Sequence, residues 1–176
     1  MKEKILIKKI CSFYANELHF ATMIVPFSNK ELEQKAIIRT ILEKDEQENI
    51  EKILKNVGLN SEVKENIKKI DWKGTNIDKI RSNFKLLEEN IKNKKKTSII
   101  VCGSNLFIEK VNQAIDLWVK NNIDMLEDSE ARIDLINCFS FEENKNSNNI
   151  INSHEYILKT SGLEEILGEE ELLKAN

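Results

Sequence analysis

Of the 176 residues, one is proline and five are glycine. That is too few turn-formers for the many tight connections of a β-sandwich or barrel. Cysteine is scarce too: Cys11, Cys102 and Cys138 are an odd three, far apart and without CxxC spacing. Reduced, buried thiols of a cytosolic protein fit this better than a disulfide framework. The longest apolar patch, around Ala21 to Phe27, is broken by Thr22. It falls well short of the ~18 apolar residues needed to span a bilayer, and no signal-peptide core follows the charged N-terminus. Nor does one sign of charge prevail, since 27 Lys+Arg against 30 Asp+Glu leave a formal −3. A nucleic-acid domain would expose a net basic surface. The expectation is a cytoplasmic protein with no membrane contact and no direct nucleic-acid contact.

What the chain does contain is a core, because 40% of its residues are apolar. Strand-like runs occur at Ile5 to Cys11, Ala36 to Leu42, Ile67 to Trp72, Thr97 to Cys102 and Arg132 to Phe141. Between them lie helical patterns. Asn16 to Leu32 carries Pro26, which should kink or divide it. Asp45 can cap a helix that bears Ile50, Ile53, Leu54 and Val57 and stops at Gly58. Thr75 or Asn76 can cap another, with Ile77, Ile80, Phe84, Leu87 and Ile91 on one face. A helix from about Asn105 presents Phe107, Ile108, Val111, Ile115 and Trp118, and the spacing predicts a last one over Asn148 to Thr160, ended by Gly162. Residues 163–176 read as a short acidic helical tail behind a domain of residues 1–162. Alternating strand and helix predicts an α/β fold of three layers. Its mainly parallel sheet of about five strands would have helices on both faces.

Ligands bind such sheets beyond the carboxyl ends of the strands. There the chemistry is again defined by what is missing. An ATP site needs Gly-x-x-x-x-Gly-Lys-Ser/Thr, whose bare amides wrap the phosphates, yet the segment Cys11 to His19 has no glycine. Gly-x-Gly-x-x-Gly, Gly-x-Ser-x-Gly and His-Glu-x-x-His are absent as well. The candidate ligand-binding residues are those at or beside strand ends: Cys11, Phe13, Tyr14, His19, Asp71, Trp72, Cys102, Ser104 and Cys138. Each cysteine falls near the end of a strand-like run. On neighbouring strands the thiols could meet in a soft-metal or redox site; the plainer alternative is that they fill small core positions. His19 and His154 lack a paired motif and read as capping or packing residues. Trp118 lies in an apolar stripe, whereas Trp72 could be rim or core.

The order of these motifs resembles the MEDS sensory domain, a family named for methanogens, methylotrophs and a dichloromethane-responsive regulator. The resemblance rests on Ile10-Cys11-Ser12-Phe13-Tyr14 with the apolar helix running to Pro26-Phe27. It rests also on Cys102-Gly103-Ser104 with Glu109 and Asn112, and on Leu135-Ile136-Asn137-Cys138-Phe139 followed by His154. It covers about Ile5 to Gly162. Lys8, Lys9 and Phe139 depart from the family's usual residues. The resemblance implies a RecA/KaiC-like domain without its phosphate loop, in which the first strand lies between the fourth and fifth and the three cysteines share adjacent strands. It implies a non-catalytic signal-transduction domain with no cofactor, metal or catalytic residues. Such a domain would bind a small molecule, act on a kinase or transcription-regulator partner in trans, and be open to homodimer formation. A pure protein-interaction module with a filled crevice is the alternative.

Overall fold

The runs Thr97 to Cys102 and Ile133 to Phe139 are buried at every position, and such runs suit a sheet covered on both faces. A computed structural model describes residues 7–43, 46–56, 58–72, 74–75, 80–93, 95–130 and 132–166. The strands are β1 (Ile7–Tyr14), β2 (Ile37–Glu43), β3 (Gly74–Thr75), β4 (Thr97–Cys102), β5 (Ile133–Ser140), β6 (Tyr156–Lys159) and β7 (Gly162–Glu165). They form one sheet in the order β3-β2-β4-β5-β1-β6-β7. Every pairing is parallel except the last, β6 with β7.

Alternate side chains of the central strands feed two cores. Ile10, Ile100, Cys102, Ile136 and Cys138 face α1 (Glu17–Glu33), α2 (Glu46–Asn56) and α3 (Ser61–Lys68). Cys11, Phe13, Ile99, Val101, Leu135 and Phe139 face α4 (Ile80–Lys92), α5 (Asn105–Asn121), α6 (Ile123–Asp128) and α7 (Asn148–Ile151). The expected three-layer α/β arrangement with a mostly parallel sheet is therefore present. At the amino edge a buried ionic cluster ties α1 to the sheet. The Lys96 ammonium lies 2.8 Å from Glu31 and 3.1 Å from Asp134, and the Ser98 hydroxyl donates to Glu31 at 2.8 Å.

Several expectations need correction. The sheet has seven strands among the described residues rather than about five. Ile67 to Trp72 is not a strand: Asn60 accepts the Val63 N–H and starts α3, which takes up Ile67, and the Trp72 indole donates back to the Ile67 carbonyl. The segment Asn148 to Thr160 is not one helix. After a single turn, Ser153 and His154 bond to the Ile150 carbonyl, and Tyr156 to Leu158 instead pair with the edge of β1. A parallel ladder satisfies backbone groups that β1 would otherwise leave open. Gly162 is not a helix stop but the left-handed residue (φ 122°) that turns the chain into β7. The tail is thus strand over Gly162–Glu165, and residues 167–176 lie outside the described residues, as do the proposed caps Asp45 and Asn76. Thr75, the other proposed cap, belongs to β3. Pro26 does not divide α1, which runs unbroken from Glu17 to Glu33. Finally, the run at residues 133–140 lies between those at 97–102 and 7–14, so β5 rather than β1 separates Cys102 from Cys11.

Candidate functional site

The carboxyl ends of β1, β4 and β5 enclose a crevice of about 250 Å³. Tyr14, Phe20, Ile50, Ile53 and Cys102 give it an apolar side, and Asn16, Glu17, Ser140, Glu142 and Glu143 a polar one. No residue lining it is basic, among the described residues. The β1–α1 turn is closed on itself. The Asn16 side chain accepts the His19 N–H at 2.9 Å, and His19 Nδ1 in turn accepts the Ala15 N–H at 3.2 Å. The Ala15 and His19 amides are therefore committed within the turn, and three carboxylates, Glu17, Glu142 and Glu143, line the same crevice.

On the β2 side, Glu43 binds Ser104, the residue capping α5: the backbone N–H donates to Oε2 at 2.6 Å and the hydroxyl to Oε1 at 3.2 Å. This approach requires Gly103. A β-carbon there would stand 2.7 Å from the Glu43 Cβ and 2.8 Å from a Phe107 ring carbon. Glu43 escapes a sequence search because no motif surrounds it; its place at a strand end was the only signal.

The predicted site residues divide. Tyr14 and Cys102 meet in the crevice, with the phenol oxygen 3.7 Å from the sulfur. Ser104 flanks it, and His19 stacks on Phe141 at 6.4 Å. Cys138 is the register partner of Cys102 and lies beneath it on the same face. Cys11 and Phe13 point to the opposite face, where Phe13 stacks on Phe139 at 5.7 Å. The three thiols thus occupy neighbouring strands without converging. Among the described residues no group of three or more His, Cys, Asp or Glu could hold a metal ion. Burial pushes the Cys11 thiol up to about 11 and the Cys138 thiol well above its ordinary value, Cys102 adding to the latter. Trp72 is core, packed with the helices of the α1 face. Asp71 is exposed, and its carbonyl accepts the Thr40 hydroxyl.

A polar cluster on the other face was not foreseen as a unit. Asn137, in the middle of β5 and only 1% exposed, exchanges two amide hydrogen bonds with Asn112 of α5, at 2.9 and 3.0 Å. Asn112 also donates to the Ile108 carbonyl, and the second Asn137 hydrogen points at His154 Nε2, 3.0 Å away. Since Nδ1 lies 2.6 Å from the Ile150 carbonyl, it must carry the proton and Nε2 must be bare. Two backbone carbonyls therefore fix the direction of every bond between them. Burial lowers the His154 pKa, so the ring is neutral. Asn112, Asn137 and His154 come from separate blocks of the sequence; their side chains gave no sign of meeting.

No known family model, curated protein or solved structure matches the chain. No helix among the described residues is long and apolar enough to cross a membrane.

Proposed function

We propose that the protein is a non-catalytic sensory domain whose carboxyl-edge crevice binds a small, uncharged or cationic molecule and passes the signal to a regulatory partner. The β1–α1 turn carries this reading: it uses its own side chains where a nucleotide fold would hold phosphate, yet leaves a crevice beside Tyr14 and Cys102. A mixed apolar and acidic lining suits a small organic molecule and disfavours a polyanion. Kinship with phosphate-loop-free RecA/KaiC-like and MEDS domains is part of this reading and rests on the sequence motifs and the glycine-free β1–α1 turn. The strand order, which places β5 rather than β1 beside β4, does not add to it.

The partner reading has its own support. Leu18, Leu106 and Phe141, at 64%, 61% and 44% exposure, stand at the carboxyl ends of β1, β4 and β5. A partner seated on them would feel what fills the crevice. The test is a thermal-shift screen of neutral and cationic small molecules against the protein and its Ala15→Trp variant, which fills the crevice from an exposed position. Compounds whose effect disappears in the variant support the proposal. Micromolar binding of ATP with magnesium, or ATP turnover lost in Glu43→Gln, overturns it, as does a screen in which no hit depends on the crevice.

A further inference from the structure

A second cavity, of about 350 Å³, lies across the sheet from the crevice, between α5, α7 and the turn that carries His154. Its size falls within the range of small-ligand sites. Ile108, Phe139 and Ile150 give it apolar walls, and Asn112, Asn137 and His154 also line it. The hydrogen-bond directions derived above decide what it can recognise. Both Asn112 amide hydrogens are used, on Ile108 and Asn137. Both Asn137 hydrogens are used, on Asn112 and His154, and the His154 ring proton is held by the Ile150 carbonyl. Each asparagine oxygen, by contrast, accepts one hydrogen bond within this network and keeps a second lone pair. These side chains therefore offer acceptors and no donors. At the rim the Lys9 ammonium is drawn to Asp116 at 3.0 Å, while the exposed Glu109 carboxylate accepts a hydrogen bond from the neutral Gln113 amide at 3.2 Å and has no ion-pair partner among the described residues.

We infer that this lateral cavity is a binding site for a small amine, with the ammonium donating to the Asn112 and Asn137 oxygens and its apolar body against Ile108, Phe139 and Ile150. At Asn112, Asn137 and His154 a carboxylate of the same shape would meet lone pairs and no hydrogen. Of the two charged groups that line the cavity, the Lys9 ammonium is already engaged by Asp116, while the Glu109 carboxylate would repel it. The site is separate from the carboxyl-edge crevice, so it stands or falls independently of the proposal made for that crevice.

Benzylamine and benzoate, alike in shape and opposite in charge, are the probes. Titrated into ¹⁵N-labelled protein, benzylamine should saturably shift the side-chain amides of Asn112 and Asn137 and the ring nitrogens of His154; benzoate should not. Ile150→Trp, or Ser153→Trp from an exposed position if the first does not fold, should abolish those shifts. Ala15→Trp in the other crevice should leave them unchanged, and Glu109→Gln should weaken benzylamine several-fold. Equal or tighter binding of benzoate overturns the inference. So do the absence of a saturable shift at millimolar benzylamine, and shifts that fall at Tyr14 and Cys102 instead.

Discussion

Glu43, the last residue of β2, receives both hydrogen-bond donors of Ser104, at 2.6 and 3.2 Å, and so ties the start of α5 to the neighbouring strand. A carboxylate at a helix N-terminus is favoured by the exposed amides and the helix dipole. Gly103 permits the contact because it has no β-carbon to collide with Glu43.

Gly103→Ala should therefore destabilise the fold by about 1–3 kcal/mol, the range for forcing atoms into a packed site. Glu43→Ala, which removes the acceptor but adds no clash, should cost about 1–2 kcal/mol. Urea denaturation midpoints measure both. Equal stability of Gly103→Ala and the parent would mean that the β2–α5 contact is loose.

The thiols should differ in reactivity in the order set by the sheet. Cys11 and Cys138 are buried, and their raised pKa values leave little thiolate at neutral pH. Cys102 is buried as well but lines the crevice. Under native conditions a small thiol reagent should react slowly with Cys102 and not measurably with the other two until denaturant is added. Mass spectrometry of the labelled peptides checks this; rapid labelling of Cys11 or Cys138 would contradict their placement.

The layers of this fold were legible because long apolar runs and three- and four-residue spacings are local signals, as at Ile99-Ile100-Val101 and along Phe107 to Trp118. The elements that went astray are those decided by partners distant in sequence. Tyr156 to Leu158 could continue a helix, and only the open edge of β1 makes it a strand. Gly162 reads equally as a helix stop and as a hairpin turn. The site followed the same division. Tyr14, Cys102 and Ser104 were visible as strand-end residues. The Asn112–Asn137–His154 chain joins three segments whose residues have no spacing in common, so nothing short of the fold could assemble it.

That chain makes a second prediction about stability. Asn137→Leu removes three hydrogen bonds and leaves the buried side of Asn112 without a partner, at a cost of about 1–3 kcal/mol. Asn112→Leu should cost a similar amount for the reciprocal reason. The double variant leaves neither amide stranded, so its cost should fall short of the sum of the two. Additive losses in a double-mutant cycle would show that the two amides act independently.

The last prediction concerns pH. Burial, the largest influence, lowers the His154 pKa; the Ile150 carbonyl and Glu155 oppose it, and Lys9 reinforces it. The groups facing the ring are Asn137 of β5, Phe139 edge-on at 6.1 Å, and the Ser153 hydroxyl at 3.0 Å, while Glu109 of α5 and Lys9 of β1 line the same cavity. Below the unfolded value of about 6.5, the unfolded chain binds a proton that the native ring does not. Stability contributed by neutral His154 is thus complete above about pH 6.5 and declines as the pH falls toward the lower native pKa. Protonation would also set an N–H against the Asn137 amide hydrogens and oblige that network to rearrange. Two carboxylates with lowered values, Glu65 and Glu164, are surface groups held down mainly by hydrogen bonds to Lys68 and Lys159. Denaturation midpoints measured downward from about pH 7 should therefore fall for the parent protein and fall less for His154→Gln, which cannot take up the proton. The His154 ring nitrogens, followed by ¹⁵N resonance over the same range, should report a neutral ring protonated at Nδ1. Identical pH slopes for the two proteins, or a ring protonated at Nε2, would show that His154 does not hold the network as the geometry requires.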